Sequence, residues 1–326
     1  MSILSKKIKN LSSWLWDTWC LISIIGIWPR FIEPKLVSVT RLILPILNFP
    51  EELENIKIIH ISDLHWCESI NSTFVKKIEK KINSLNPDLI LFTGDFLRRS
   101  KLKNPEGLKR FLCSLKASVG HFAVLGNHDY TQFVTVNTKG EYDIEKLSSS
   151  SIIVKGFQRL FSSVTLSNKT TEQAKQLDLH QNLIDLLNET PFQLLHNTST
   201  LVKYRNGFIN ISGMGEYTLG QSIVDKTFTN YNSLYPGIIL MHNPDAAKLT
   251  TNYPGDLILA GHTHGGQINL PLIWKKFTQI ENPQWKRGLK KIGDKWLYIS
   301  RGLGSIMNFR WFSMPEITLI TLQKRK

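Results

Sequence analysis

Cysteine is scarce in this chain: Cys20, Cys67 and Cys113 are the only three in 326 residues. An odd number without a CxxC pair excludes a disulfide framework and a thiolate zinc site. It is in keeping with a reducing compartment. Acidic residues are also short, with 26 Asp and Glu against 40 Lys and Arg, for a formal net charge of +14. That balance favours anionic partners, such as phosphorylated substrates, an acidic membrane face or nucleic acid, and is silent on fold. No nucleic-acid recognition motif accompanies the charge, so nucleic acid ranks below the other two. Internal repeats are missing. So is an uninterrupted apolar run of spanning length: the stretch from Leu11 to Trp28 is broken near its middle by Asp17, where a charge is costly in a bilayer. There is no well-placed small-residue cleavage site after Trp28 and no twin arginine, which argues against a cleaved signal. The favoured reading of residues 1–34 is therefore a helix lying in a membrane interface. Trp14, Trp16, Trp19 and Trp28 are of the type that prefers the headgroup level, and Lys6, Lys7 and Lys9 suit anionic lipid on the cytoplasmic side. A hydrophobic helix packed on the body is the alternative.

What the chain does have is ordinary globular content, 42% hydrophobic, and length for one large α/β domain or two smaller ones. Short β-branched runs alternate with helical spacing in the first half. Ile56–Ile61, Asp88–Thr93 and His121–Leu125 are predicted strands, and Asn71–Leu85 and Pro105–Lys116 predicted helices. The second half is mostly strand: a hairpin over Leu201–Met214, then Gly237–Met241, Asp256–Ala260, Trp296–Ser300 and Ile317–Gln323. This order predicts a two-sheet α/β sandwich with helices outside. Residues 131–190 are the least regular part of a domain spanning 50–323. They are expected to form an insertion or lid, with a short helix near Gln181–Leu187.

The ends of the strands carry the chemistry. After IKIIHIS comes Asp63-Leu-His65; after DLILFT, Gly94-Asp95; after HFAVL, Gly126-Asn127-His128-Asp129; after GIILM, His242-Asn-Pro-Asp245; after DLILA, Gly261-His262-Thr-His264. Each motif alone is weak. Five strand ends that each present His, Asp or Asn form a constellation, and ligands gather at the carboxyl ends of strands in α/β sheets. Carboxylates, imidazoles and an amide without thiolate suit Mn²⁺, Mg²⁺, Fe or Zn²⁺ in a catalytic site. Asp63, His65, Asp95, Asn127, His242, His262 and His264 are too many for one ion with an open position. They suit two ions sharing a carboxylate, the arrangement that clamps a phosphate for in-line attack.

The ordered set DLH, GD, GNHD, HNPD and GHTH resembles the calcineurin-like metallophosphoesterase family. GHTHGGQINLP, YISRGLG and PEITLITL resemble its membrane-associated bacterial subgroup. The likeness runs over roughly residues 50–322, with 131–190 departing most. It implies a four-layer α/β/β/α sandwich and two divalent metal ions, Mn²⁺ foremost. It assigns Asp63, His65, Asp95 and His264 to one ion, and Asp95, Asn127, His242 and His262 to the other. It makes His128 the residue that contacts the phosphate and protonates the leaving oxygen, with Asp129 orienting it. The second acid of the family's GDxxD is Arg98 here, so Arg98 and Arg99 become candidate contacts for an anionic substrate or else a solvated basic turn. Arg301 of YISRGLG is another candidate contact, or an ion-pair partner. The apolar text Ile306–Phe312, the basic balance and the tryptophans point to a lipid-linked phosphorylated substrate at the cytoplasmic face of a bacterial inner membrane. Within the family the likeness is nearest to the branch that splits the pyrophosphate of a nucleotide-linked lipid A precursor. Another phospholipid or nucleic acid as substrate, and a non-enzymatic metal-bearing scaffold, are the alternatives.

Overall fold

The computed structural model describes residues 14–68, 70–145, 165–269, 274–278, 280–305 and 307–325. Two six-stranded sheets face each other. The first contains β1 (Ser38–Ile46), β2 (Lys57–Ile61), β3 (Leu89–Thr93), β4 (Gly120–Val124), β7 (Phe192–Leu194) and β14 (Glu316–Lys324), in the order β1-β14-β2-β3-β4-β7. The second runs β12-β13-β11-β10-β9-β8, from Gly288–Ile292, Lys295–Ile299, Leu257–Ala260, Gly237–Leu240, Gly207–Gly213 and Thr198–Tyr204. A small hairpin of β5 (Val134–Val136) and β6 (Tyr142–Ile144) stands apart.

The central strands are buried on both faces, which is why they are continuous apolar runs rather than alternating ones. Ile58, Leu89, Leu91, Ile238, Leu240 and Leu257 fill the space between the sheets. Their neighbours Ile59, Ile90 and Phe92 pack outward under α1 (Ser72–Ser84), α2 (Pro105–Ser114) and α3 (Gln181–Asn188). On the other outer face Ile239, Ile258 and Leu297 pack against Ala246 and Ala247 of the 3₁₀ turn Pro244–Thr250. Truncating one of these side chains to alanine costs about 2–5 kcal/mol. Helix starts follow local chemistry: the Asn71 side chain accepts from Phe74 N–H and caps α1, and Asn104 does the same for α2 through Gly107.

Residues 131–190 contain the β5–β6 hairpin and α3, whose Leu183, Leu186 and Leu187 are buried. Residues 146–164 lie outside the described set. Strand β1 is an element the sequence pattern did not announce. It pairs in parallel with β14 along its whole length, from Ser38↔Glu316 to Ile46↔Lys324. As an edge strand it tolerates Pro45, and its outward Ile43 and Leu47 just beyond it are exposed. Residues 14–32 are helical, with the wide-turned piece Ser23–Ile32 enclosing Pro29. Lys6, Lys7 and Lys9 lie outside the described residues. Among the described residues no helix is long and apolar enough to cross a membrane.

Candidate metal centre

Strands β2, β3 and β4 are mutually parallel, as are β10 and β11. Their carboxyl ends meet at one end of the sandwich. The loops there are locked to each other: Asp63 N–H donates to Gly94 O (2.9 Å), His65 N–H to Asp95 O (3.0 Å) and Gly261 N–H to His242 O (2.9 Å). The second sheet is tied to the first by the His242 ring, whose Nδ1 lies 2.6 Å from Thr93 O at the end of β3.

This brings all seven expected ligands together. Asp63 Oδ1 is 3.7 Å from His264 Nε2, which is 3.0 Å from His65 Nε2. Asp95 Oδ2 is central, 3.6 Å from His65 Nε2, 3.2 Å from His242 Nε2 and 3.8 Å from His128 Nε2. His262 Nδ1 is 3.1 Å from Asn127 Oδ1 and 3.2 Å from His242 Nε2. Asp63, Asp95 and His242 offer converging ligand atoms, as do Asp63, His65 and His264. All these residues are buried except the half-buried His262. Asp63, His65, Asp95, His262 and His264 adopt left-handed backbone angles, with φ between 48° and 67°. Such conformations cost free energy and persist at sites that need a side chain aimed one way. Two glycines are forced by crowding: a Cβ on Gly126 would sit 2.3 Å from Asp95 Oδ1, and one on Gly261 2.5 Å from Asp63 Oδ2.

The donor set fits divalent cations. His65 Nδ1 donates to Leu97 O (3.1 Å) and His242 Nδ1 to Thr93 O, which turns Nε2 of each ring toward the cluster. Burial favours the uncharged form of every group here. It pushes Asp63 up to about 6, His65 down to about 4 and His264 well below the ordinary histidine range. Around Asp95 burial is outweighed by His242 and His128, so its carboxyl stays well below the usual carboxylate range. His242 is the exception: burial is outweighed by Asp95 and Asp63, which hold its imidazole well above the ordinary histidine range, and a bound metal would take the place of that proton.

His128 lies against the same cluster, and its Nδ1 accepts the backbone N–H of Arg99 (2.8 Å). Phe133 stacks on the ring, with centroids 3.9 Å apart. Asp129 does not touch it. The Asp129 carboxylate accepts N–H bonds from Leu97 (2.9 Å), Gly126 (3.0 Å) and Phe96 (3.1 Å), tying the loop after β4 to the loop after β3. Burial pushes Asp129 up to about 7. The orienting contact expected from Asp129 is thus made by a main-chain amide, and Asp129 shapes the turn.

The arginines separate. Arg98 Nη1 rests 3.8 Å from Cys67 Sγ, and Arg99 Nε is 3.7 Å from Glu145 on the hairpin side. Arg301 is committed to the fold: its Nη2 pairs with Glu316 (3.0 Å) and Ser38 Oγ (2.9 Å). That is the ion-pair partnership the sequence also allowed for it. A pocket opens over Asp95, Asn127, His128 and His262, walled by Phe133 and Tyr142.

Sequence reasoning missed Arg310 and Glu33. Arg310 is among the largest fully buried side chains, and its guanidinium reaches His264 Nδ1 at 3.4 Å. The one signal was a lone charge inside aromatic text, since buried charges need partners.

The sequence profile described as calcineurin-like phosphoesterase matches residues 56–266, which span every expected ligand. The chain is 41% identical to the UDP-2,3-diacylglucosamine pyrophosphatase of Chlamydia muridarum, over 90% of this chain and 92% of that protein. The protein of that name from Chlamydia trachomatis serovar D is 41% identical over the same shares. A phosphodiesterase of Escherichia coli K12 is 26% identical over 84% of each chain. The chain belongs to the calcineurin-like phosphoesterase family and is a metal-dependent hydrolase.

Proposed function

We propose that this chain hydrolyses the pyrophosphate of UDP-2,3-diacylglucosamine to UMP and 2,3-diacylglucosamine 1-phosphate, a step of lipid A biosynthesis. The observation that carries the proposal is the 41% identity to two pyrophosphatases of that name across nine-tenths of each chain. In the reaction a water oxygen bonds to one phosphorus, the bridging P–O bond breaks, and the water protons are released to solvent and product.

Asp63, His65, Asp95 and His264 would hold one divalent ion, and Asp95, Asn127, His242 and His262 the other, with Mn²⁺ as the first choice. Bound divalent cations supply a Lewis acid for the phosphoryl oxygens and a nucleophile available at neutral pH. The protein's own part is positional. His128 receives the Arg99 N–H at Nδ1, so its neutral ring carries its proton at Nε2, toward the cluster. Burial, reinforced by His65 and His242, holds it well below the ordinary histidine range. His128 therefore acts as a fixed N–H donor to a phosphoryl oxygen, whose charge grows in the transition state. A neutral imidazole is a poor proton donor to a leaving group, so this geometry favours the contact half of the expected role. Asp129 holds the turn that aims His128.

The half-exposed Trp28 and the exposed Trp14, Trp16 and Trp19 support a helix seated in the interface of the bacterial inner membrane, on its cytoplasmic side, where the acylated substrate resides. Arg98 and Arg99, on the turn whose Arg99 N–H meets His128, are candidate contacts for the substrate's anionic groups. The test is Mn²⁺-dependent turnover of UDP-2,3-diacylglucosamine in detergent, with products identified by mass. UMP release that disappears in Asp95→Ala supports the assignment. Hydrolysis of bis-p-nitrophenyl phosphate without UMP release would keep the metal centre and transfer the chain to the second reading, a phosphodiesterase of another phospholipid. That reading draws on the likeness to the E. coli phosphodiesterase.

A further inference from the structure

Residues 301–305 and 307–313 contact two parts of the molecule that have no reason of sequence to meet. One is the end of the N-terminal helix. Glu33, buried at that end, accepts the Trp28 indole N–H (2.9 Å) and the Phe312 N–H (3.0 Å) on one carboxylate oxygen. Its other oxygen accepts the Ser313 N–H. The Arg310 N–H donates to Pro29 O (2.8 Å) and the Arg30 guanidinium to Asn308 O (2.7 Å).

The other part is the Asp63–His65–His264 side of the metal centre. Ser313 Oγ donates to His264 O (2.6 Å), and Gly304 N–H to Asp63 O (2.6 Å). Between the two lies the Arg310 guanidinium. It donates to Arg301 O and Ser313 O (2.8 Å each), to Gly302 O (3.2 Å) and to Gly304 O, and its edge stands 3.4 Å from the His264 ring. A planar five-donor fork is the side chain that can gather so many carbonyls, and lysine cannot reproduce it.

We propose that Glu33 and Arg310 form a brace that transmits the seat of the N-terminal helix to His264 and Asp63, so that this helix sets the geometry of one metal position and reaches the other only through the Asp63 carboxylate, which accepts the His262 N–H (3.1 Å). Both are positioning residues, acting through main-chain groups and the His264 ring. The proposal rests on the ligand assignment given above. It follows that movement of the helix on a lipid surface is felt first at the position held by Asp63, His65 and His264.

The experiment is calorimetric Mn²⁺ titration of the full-length protein in detergent, with metal content measured alongside and the melting temperature of the metal-free form as the control. His264→Ala comes first: retention of two ions at full affinity would overturn the ligand assignment on which the brace stands. With one ion lost in His264→Ala, the brace is read from Arg310→Lys and Glu33→Gln. Arg310→Lys is expected to weaken one Mn²⁺ step by about 10–100-fold, the range for partners that orient a metal ligand. Glu33→Gln keeps the size but turns an amide NH₂ toward N–H donors, and is expected to weaken the same step by about tenfold on that scale. The other step should change much less, while the metal-free melting temperature should fall somewhat in both variants because buried N–H and C=O groups lose partners. Both steps unchanged in Glu33→Gln, or both weakened equally, would overturn the brace.

Discussion

On the side of Asp63, His65 and His264, the supports come from far along the chain: Leu303, Gly304 and Ser313 donate to Ser62 O, Asp63 O and His264 O. On the side of Asn127, His242 and His262, the supports come from the sheets and the nearby hairpin. His242 is fixed by Thr93 O, its own carbonyl receives Gly261 N–H, and the Asn127 side-chain amide donates to Val134 O (2.8 Å). All of the second set lie inside residues 56–266, the span matched by the family, whereas Glu33 and residues 301–305 and 307–313 lie outside it. One half of the centre is thus built from the sandwich itself, and the other is completed by segments at either end of the chain. Asp95 belongs to both.

The sharpest way to erase the distinction is Asp95→Ala. Removing the shared carboxylate should empty both positions and bring turnover to the background level, and full metal content in that variant would sink the two-ion scheme. The paired glycines separate the halves instead. Gly126→Ala drives a methyl against Asp95 Oδ1 and His242 Cε1 (2.8 Å), and Gly261→Ala drives one against Ser62 Oγ and Asp63 Oδ2. Each should destabilise the fold by about 1–3 kcal/mol, as overpacking does. Gly126→Ala should spread its damage to both Mn²⁺ steps through Asp95, and Gly261→Ala should weaken most the step of Asp63, reaching the other through the His262 N–H that the Asp63 carboxylate holds. Identical titration curves for the two variants would remove the comparison.

The assignment above gives His128 to neither ion, although its ring converges with His65 and Asp95, so its loss is expected to leave both ions bound. His128→Ala is expected to lower kcat by about 10²–10³, the effect of deleting one preorganised donor. A donor to a phosphoryl oxygen and an acid for the leaving group differ in a measurable way. In the first case the loss is similar for good and poor leaving groups; in the second it vanishes for a good one such as p-nitrophenolate. Rates of His128→Ala on two aryl phosphodiesters of different leaving-group pKa distinguish them.

The half made from the sandwich was also the half most fully legible in the sequence. Each ligand follows a short apolar run within a few residues, so strand and ligand announce one another locally. The supports of the other half were hidden for a physical reason. Arg310 is held by the carbonyls of Arg301, Gly302, Gly304 and Ser313, and every residue type supplies a carbonyl. Strand β1 exists because β14, from the opposite end of the chain, lies beside it. Likewise, the partner of Arg301 could not be named until the fold brought Glu316 to it. The means by which Asp129 could orient His128 was equally hidden, since its oxygens serve main-chain amides of the two turns rather than the ring.

The smallest effect tests whether side chain or backbone matters at Arg99. Its N–H fixes the His128 ring, while its guanidinium reaches toward Glu145 at a half-exposed position. Exposed ion pairs contribute little to stability, about 0–1 kcal/mol, so Arg99→Ala should leave the melting temperature and both Mn²⁺ steps nearly as they were. The amide survives the substitution, so kcat should persist. What the substitution removes is a candidate cationic contact, and the expected consequence is a rise in KM of about 2–5-fold for an anionic substrate, on the scale of an exposed ion pair. That rise should shrink as salt is added, because screening weakens exposed charges. A fall in kcat at unchanged KM would mean instead that the side chain holds the turn carrying the amide, and would make Arg99 a support of His128 rather than a contact of the substrate.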